Sequence, residues 1–208
     1  MLILELNPDS LDGTVIDRAA DALREGLLVA YTTDTFYGLA VDPRRDDAVE
    51  RLFEVKGRDA STAIPLIAGS IEQAREVGVF TSVETRLAQA FWPGPLTIVV
   101  RARPGLSAAL LGPGSTIAVR VPAHPVARAL AASFGSCVTS TSANRSGKPP
   151  ASSAAEAAAA LGNRLDVIID AGKTAGGPPS TIVEVRPHGL RLVRAGAVAW
   201  ERVLRSLG

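Results

Sequence analysis

Residues 12–35 run DGTVIDRAADALREGLLVAYTTDT, and the hydrophobic period changes halfway through. Ile16, Ala19, Ala20 and Leu23 keep the i, i+3, i+4, i+7 spacing of a helix that buries one face, and Gly26 is a natural C-terminal stop. Leu27–Tyr31 (LLVAY) is then a short continuous apolar run, as in a buried strand, and it delivers the chain into the polar turn Thr32–Thr35. A strand that ends in a polar loop is where α/β proteins place their sites.

The rest of the chain repeats this alternation. Asp46–Val55 carries Val49, Leu52 and Phe53 on one helical face and leads into Lys56-Gly57-Arg58; Ile64–Ala68 is strand-like. Ser70-x-x-Gln73, Thr81-x-x-Glu84 and Ser153-x-x-Glu156 have the form of capping boxes and mark three helix starts. The second of these helices stops at Trp92-Pro93-Gly94-Pro95, because proline removes a donor and fixes φ. Strands are expected at Leu96–Val100, Thr116–Val121, Cys137–Thr139 and Val167–Asp170. A helix is expected at Pro125–Phe134, a hairpin from Thr181–Val185 and Leu190–Val193, and a last helix at Trp200–Leu207. No linker interrupts the series, so the pattern predicts one α/β domain over 1–208, a twisted mixed sheet flanked by helices.

Composition narrows the function. The chain has 208 residues, 22 Lys plus Arg and 21 Asp plus Glu; a net charge of +1 argues against generic polyanion binding by bulk charge. Aromatic residues are 4% of the chain, too few for stacking platforms along single-stranded nucleic acid. No apolar stretch reaches the ~18 residues of a membrane span, and MLILELNPD has neither a basic start nor a small-residue cleavage site. With Cys137 as the one cysteine, an internal disulfide is excluded, in keeping with a cytoplasmic protein.

Cations stand in unusual places. Arg120 interrupts the apolar IAVRV, Arg194 ends LRLV, and Lys56 and Arg58 flank a glycine. A guanidinium cannot neutralise itself by losing a proton, so each needs an anionic partner: an Asp or Glu in a salt bridge, or an anion pocket that several of them share. The loop Ser140-Thr-Ser-Ala-Asn-Arg-Ser-Gly-Lys148 supplies hydroxyls, an amide and flexible backbone suited to phosphate oxygens and ribose, or to an ordinary turn. Neither glycine-rich nucleotide loop occurs in its strand-to-helix setting. His124 and His188 lie in separate turns with no partner at ligand spacing, so no metal site is expected. Cys137 enters an apolar strand as a structural thiol, and Asp34 ranks second as a turn aspartate.

Eight segments, in order, resemble the YrdC-like family, the threonylcarbamoyl-adenylate synthases: Tyr31–Leu39 (YTTDTFYGL), Lys56-Gly-Arg58, Pro65-Leu66, Trp92–Thr97 (WPGPLT), Val119–Pro125 (VRVPAHP), Ser142-Ala-Asn144 with Ser146-Gly147, Ser180–Val183 (STIV) and Arg194-x-Gly196. The resemblance implies a YrdC-like fold with a concave basic cleft, in the family's short form. It implies condensation of L-threonine, bicarbonate or CO2, and ATP into threonylcarbamoyl-AMP and pyrophosphate, with Mg2+ carried on ATP. The product would pass to a downstream transferase complex for N6-threonylcarbamoylation of adenosine 37 in tRNA, with direct tRNA contact weak.

Matched by position, Lys56 and Arg58 would be catalytic and would hold the nucleotide with Thr116, Ser142, Asn144 and Arg194. Thr35, Arg120, Ser140 and Ser180 would hold threonine or its carbamate, Arg120 through the carboxylate. The chain departs from the family at Thr32, where proline is usual, and at Gly69, where many members carry histidine; its gap from Arg58 to Pro65 is longer than in many relatives. Two other readings are a non-catalytic RNA-binding module with a basic cleft, and a related carbamoyl-adenylating domain such as that of hydrogenase maturation proteins.

Overall fold

The computed structural model describes residues 1–57 and 63–208. Its elements are, in order, β1 (Leu2–Glu5), α1 (Gly13–Arg24), β2 (Val29–Thr32), β3 (Tyr37–Ala40), α2 (Asp46–Lys56), β4 (Leu66–Ile67), α3 (Ile71–Val77), β5 (Gly78–Val79), α4 (Ser82–Phe91) and β6 (Leu96–Ala102). There follow β7 (Thr116–Arg120), α5 (Pro125–Phe134), β8 (Val138–Thr139), β9 (Thr141–Ser142), α6 (Ala154–Leu161), β10 (Val167–Asp170), β11 (Thr181–Arg186), β12 (Gly189–Arg194) and α7 (Trp200–Arg205).

The helices begin where the caps predict. Asp12 accepts from the Thr14 amide at 2.9 Å, and α1 buries Ile16, Ala19, Ala20 and Leu23 as spaced. Thr81 and Glu84 close a full capping box. The other two boxes are only half formed. Ser70 accepts from the Gln73 amide, but the Gln73 side chain accepts from Gly69 and donates to the Ala131 carbonyl, joining α3 to α5. Glu156 likewise reaches past Ser153 to the amide and hydroxyl of Ser152. Helix α2 ends at Gly57, whose φ of +57° is the left-handed turn that glycine adopts without strain.

The α/β class holds, and the strands form two mixed sheets instead of one. The first has the order β1-β10-β2-β3-β9; the second runs β12-β11-β6-β7-β4-β8, with β5 on β6. Several strands escaped the sequence reading for local reasons. Strand β3 is Tyr-Gly-Leu-Ala with no β-branched residue, β9 is a polar Thr-Ser pair, and β1 is an edge strand with mostly exposed side chains. The two sheets meet where β8 passes into β9, with Ser140 as the single residue between them. Thr139, fully buried, is tied there to Val41 through its amide and hydroxyl, and the Ser140 amide donates to the Pro65 carbonyl at 2.8 Å.

Two apolar clusters support this frame. One lies under α2, α4, α6 and the inner faces of both sheets; the other joins α1 and α5 to the opposite face of β2 and β10. Cys137 is buried, and burial pushes its thiol up to about 12, so it serves as packing. Among the described residues no helix is long and apolar enough to cross a membrane.

One ion pair ties helix to sheet. Asp166 accepts from both terminal nitrogens of Arg51, at 2.5 and 2.9 Å, and from the Leu28 amide at 2.8 Å. Burial works against its ionised form, yet these donors prevail and hold its carboxyl below the ordinary value. A lowered folded-state value means the stabilisation is complete above about pH 4 and is lost as pH falls through that lower value. Asp166→Asn is expected to destabilise the protein by about 1–2 kcal/mol at pH 7, discounting for partial exposure, and by progressively less under acid. Urea unfolding of both proteins at pH 7 and pH 3 checks this; an unchanging gap would assign the effect to packing.

Candidate functional site

A cleft of about 410 Å³ opens between the two sheets. One transverse row of the second sheet makes its floor. Arg194 of β12 is paired with Ile182 of β11, and Ile182 with Thr97 of β6. The antiparallel register Ile98↔Val119 puts Thr97 opposite Arg120 of β7 one step on, and Arg120 is paired with Ile67 of β4. All five line the cleft. At ~4.8 Å per strand the row spans about 19 Å, with a guanidinium toward either end and a hydroxyl between. The facing wall comes from the first sheet and its loops: Thr33, Thr35, Phe36 and Gly38, with Thr141 and Ser142.

The two arginines are held differently. Arg120 Nη1 donates to Asp34 Oδ2 at 2.6 Å, with side chains 11% and 19% exposed. The salt-bridge reading of Arg120 is therefore realised, and Asp34 matters more than its place in a turn suggested. Asp34 itself does not line the cleft; it holds Arg120 by one nitrogen, and Arg120 is part of the lining. Arg194 donates through Nε and Nη2 to the Ser180 carbonyl, at 3.1 and 2.8 Å, and through Nη2 to the Ser180 hydroxyl at 3.0 Å. Burial first, and the like charge of Arg120 second, pull its guanidinium below the ordinary value. Among the described lining residues there is no Asp or Glu, so an anionic ligand meets two cations and no lining carboxylate.

Hydroxyls fill the space between. Ser180 Oγ lies 2.8 Å from Thr97 Oγ1. Ser140, at the seam, accepts from the Tyr31 hydroxyl at 2.9 Å, and burial pushes that phenol up to about 12, so it stays a protonated donor. Thr35 lines the cleft, and its carbonyl accepts from the Gly176 amide at 2.9 Å, which fastens the 171–180 segment beside the site.

The structure thus brings Thr35, Arg120, Ser140, Ser142, Ser180 and Arg194 together. Lys56 is 2% exposed and lies behind the lining: its ammonium donates to the Ser142 carbonyl and hydroxyl and to Asn144 Oδ1, so it reaches the cleft through Ser142. Asn144 is buried beside it and donates to the Lys148 carbonyl. Thr116 does not join the group. It stands at the other end of β7, about 13 Å along the strand from Arg120, and donates to the Pro113 carbonyl. Arg58, and with it most of the long gap to Pro65, lies outside the described residues.

The departures from the family also have physical counterparts. A side chain at Gly69 would meet Ala132 Cβ and the Arg128 carbonyl at 3.1 Å, so α5 would have to give by a few tenths of an ångström to admit one. The Thr32 hydroxyl is buried without a hydrogen-bond partner among the described residues. His124, whose imidazole is pulled below its ordinary value by burial while the Asp34 charge opposes, belongs to no metal cluster, and none exists among the described residues. Thr97 is one of the lining residues that sequence reasoning missed, with Thr33 and Thr141. The signal for Thr97 was the alternation in LTIVV, where Leu96, Ile98 and Val100 face the core and Thr97 must face the other way.

The family model Sua5_yciO_yrdC, described as telomere recombination, matches residues 21–196. The chain is 36% identical over 191 residues to the threonylcarbamoyl-AMP synthase of Pyrococcus abyssi, covering 91% of this chain and 56% of that protein. It is 42% identical over 179 residues to the synthase of Chromohalobacter salexigens, covering 82% and 94%. The crystal structure of P. abyssi Sua5 complexed with L-threonine superposes with a TM-score of 0.93 at 34% identity, over 100% of this chain and 61% of that one. The chain therefore spans little more than half of the archaeal relative and nearly all of the bacterial one.

The Asp34–Arg120 contact is expected to be coupled. Asp34→Asn leaves a poorly hydrated cation, whereas Asp34→Asn with Arg120→Met removes both charges, so a double-mutant cycle on thermal stability should give about 1–3 kcal/mol of interaction. A coupling near zero would mean that the pair contributes nothing beyond packing.

Proposed function

The chain belongs to the Sua5/YciO/YrdC family, and we propose that residues 1–208 form one catalytic domain that makes threonylcarbamoyl-AMP from L-threonine, bicarbonate or CO2, and ATP. The observation that carries this reading is the floor row, with Arg120 and Arg194 flanking a hydroxyl pair in a cleft whose described lining has no carboxylate.

In this reading the threonine carboxylate takes the part of the Arg120 guanidinium that Asp34 does not use, and Thr35 and Ser140 hold the amine end. The amine attacks the carbon of bicarbonate and water leaves, or it adds to CO2 with loss of a proton; either route gives the N-carboxylate. A carbamate oxygen then attacks the α-phosphorus of ATP, the P–O bond to the β-phosphate breaks, and pyrophosphate departs with the electron pair. Such transfer depends on positioning and charge stabilisation more than on covalent help from the protein. Arg194 would face the phosphates and Ser142 the nucleotide, while Lys56 and Asn144 support Ser142 from behind; the family match by position would assign Arg58 to the phosphates as well.

ATP is a substrate here, and its phosphates would bring Mg2+ with them. No His, Cys, Asp and Glu cluster among the described residues holds a metal unaided. The product is a reactive mixed anhydride suited to a downstream tRNA-modifying complex in the cytoplasm, and a net charge of +1 fits weak, salt-sensitive contact with tRNA itself. An RNA-binding module would instead bind RNA tightly through moderate salt.

Pyrophosphate release from ATP should require both L-threonine and bicarbonate, with the product identified by its mass. Equal release without either one would overturn the reading. Serine should be the nearest competitor, weaker by about 1–3 kcal/mol for its missing methyl group. Arg120→Lys should raise the KM for threonine roughly 30-fold, because an ammonium cannot reproduce the planar contact, and leave the KM for ATP nearly unchanged. Normal threonine binding by a folded Arg120→Lys protein would return Arg120 to a purely structural role.

A further inference from the structure

The Thr97–Ser180 hydroxyl pair holds one more hydrogen than its own contacts use. A hydroxyl has one hydrogen and two lone pairs. Arg194 Nη2 occupies a lone pair of Ser180 Oγ, and the 2.8 Å contact between Ser180 Oγ and Thr97 Oγ1 uses one of the two hydroxyl hydrogens, whichever oxygen donates it. Among the described residues neither hydroxyl has a further partner, and both side chains line the cleft. Beside two unused lone pairs, the pair therefore offers a ligand one O–H donor. Arg194 strengthens it, because a cation bound to Ser180 Oγ withdraws charge through the short contact.

The place of the pair specifies what it meets. Thr97 is one strand from Arg120, about 4.8 Å, and lies between the two guanidinium groups of the floor. In an N-carboxylated amino acid the new carbon is three bonds from the α-carboxyl carbon, about 3–4 Å away. With the α-carboxylate on Arg120, an oxygen of that carbon falls beside Thr97, short of the phosphates at Arg194. Resting on the proposed function, we infer that Thr97 and Ser180 together bind an oxygen of the one-carbon unit, the bicarbonate or carbamate oxygen that carries negative charge before adenylation.

N-carbamoyl-L-threonine carries a carbonyl on that carbon and lacks the reactive oxygen, so it serves as a stable probe beside L-threonine. Calorimetric titration of Thr97→Val should show N-carbamoyl-L-threonine weakened ~10-fold, the effect of one hydrogen bond, and L-threonine changed by less than about 2-fold. Thr97→Ser, which keeps the hydroxyl, should restore binding of the probe. In turnover, the KM for bicarbonate should rise ~10-fold in Thr97→Val while the KM for ATP stays put. If Thr97→Val fails to fold, Thr97→Ala carries the same expectation. Equal weakening of both ligands, or no rescue by serine, overturns the inference and leaves the proposed function standing. A wild-type protein that binds neither ligand overturns both.

Discussion

The step from Thr139 through Ser140 to Thr141 fixes how the two sheets meet, because three consecutive residues serve both. Thr139 belongs to β8 in the second sheet, yet its amide and hydroxyl are bonded to Val41 just beyond β3 of the first. Thr141 is already paired with Leu39 in β3. Ser140 can belong to neither ladder, so its hydroxyl is free to accept from the Tyr31 hydroxyl and to line the cleft. Two sheets joined at one residue diverge from it, and the space between them is the site. The buried Lys56 steadies the strand that leaves the seam, since its ammonium adds a charged donor to the Ser142 carbonyl and to Asn144 Oδ1, which otherwise accept from the Asn144 amide and the Ser142 hydroxyl.

Electrostatics gives this space its direction. A guanidinium in a poorly solvated cleft cannot discharge itself, so the protein must supply counter-charge or leave it to a ligand. At Arg120 it supplies Asp34 from outside the lining, which orients the planar fork and leaves one edge for a carboxylate. At Arg194 it supplies a carbonyl and a hydroxyl of Ser180, which offer hydrogen bonds without full neutralisation. The second cation thus remains the less compensated of the two and the better suited to a phosphate. In the proposed function, the clamp for the threonine carboxylate and the anchor for the polyphosphate would differ by what stands behind each arginine.

Local interactions made much of the chain legible in advance. The cap at Asp12, the box at Thr81-Glu84, proline at the first position of α5 and glycine after α2 act within a few residues, and the helices they bound were found nearly to the residue. The half-formed boxes at Ser70 and Ser153 show the limit of such reading. Whether Gln73 turns back to its own cap or reaches across to Ala131 depends on where α5 lies, a long-range fact. The motif order identified the family, and residues of several matched segments line the cleft, whereas Thr116, outside those segments, stands at the far end of β7 from Arg120.

From the sequence alone came the α/β class, the helix ends, the interrupting cations and the family, since each rests on residue type and short spacing. Tertiary structure alone decided that the strands form two sheets, that Arg120 meets Asp34, and that Thr97 joins Ser180 under Arg194. The physical reason is pairing at a distance. Asp34 and Arg120 are 86 positions apart, and Thr97 and Ser180 are 83, so each contact exists only because strand register aligns segments whose local sequences hold no record of one another.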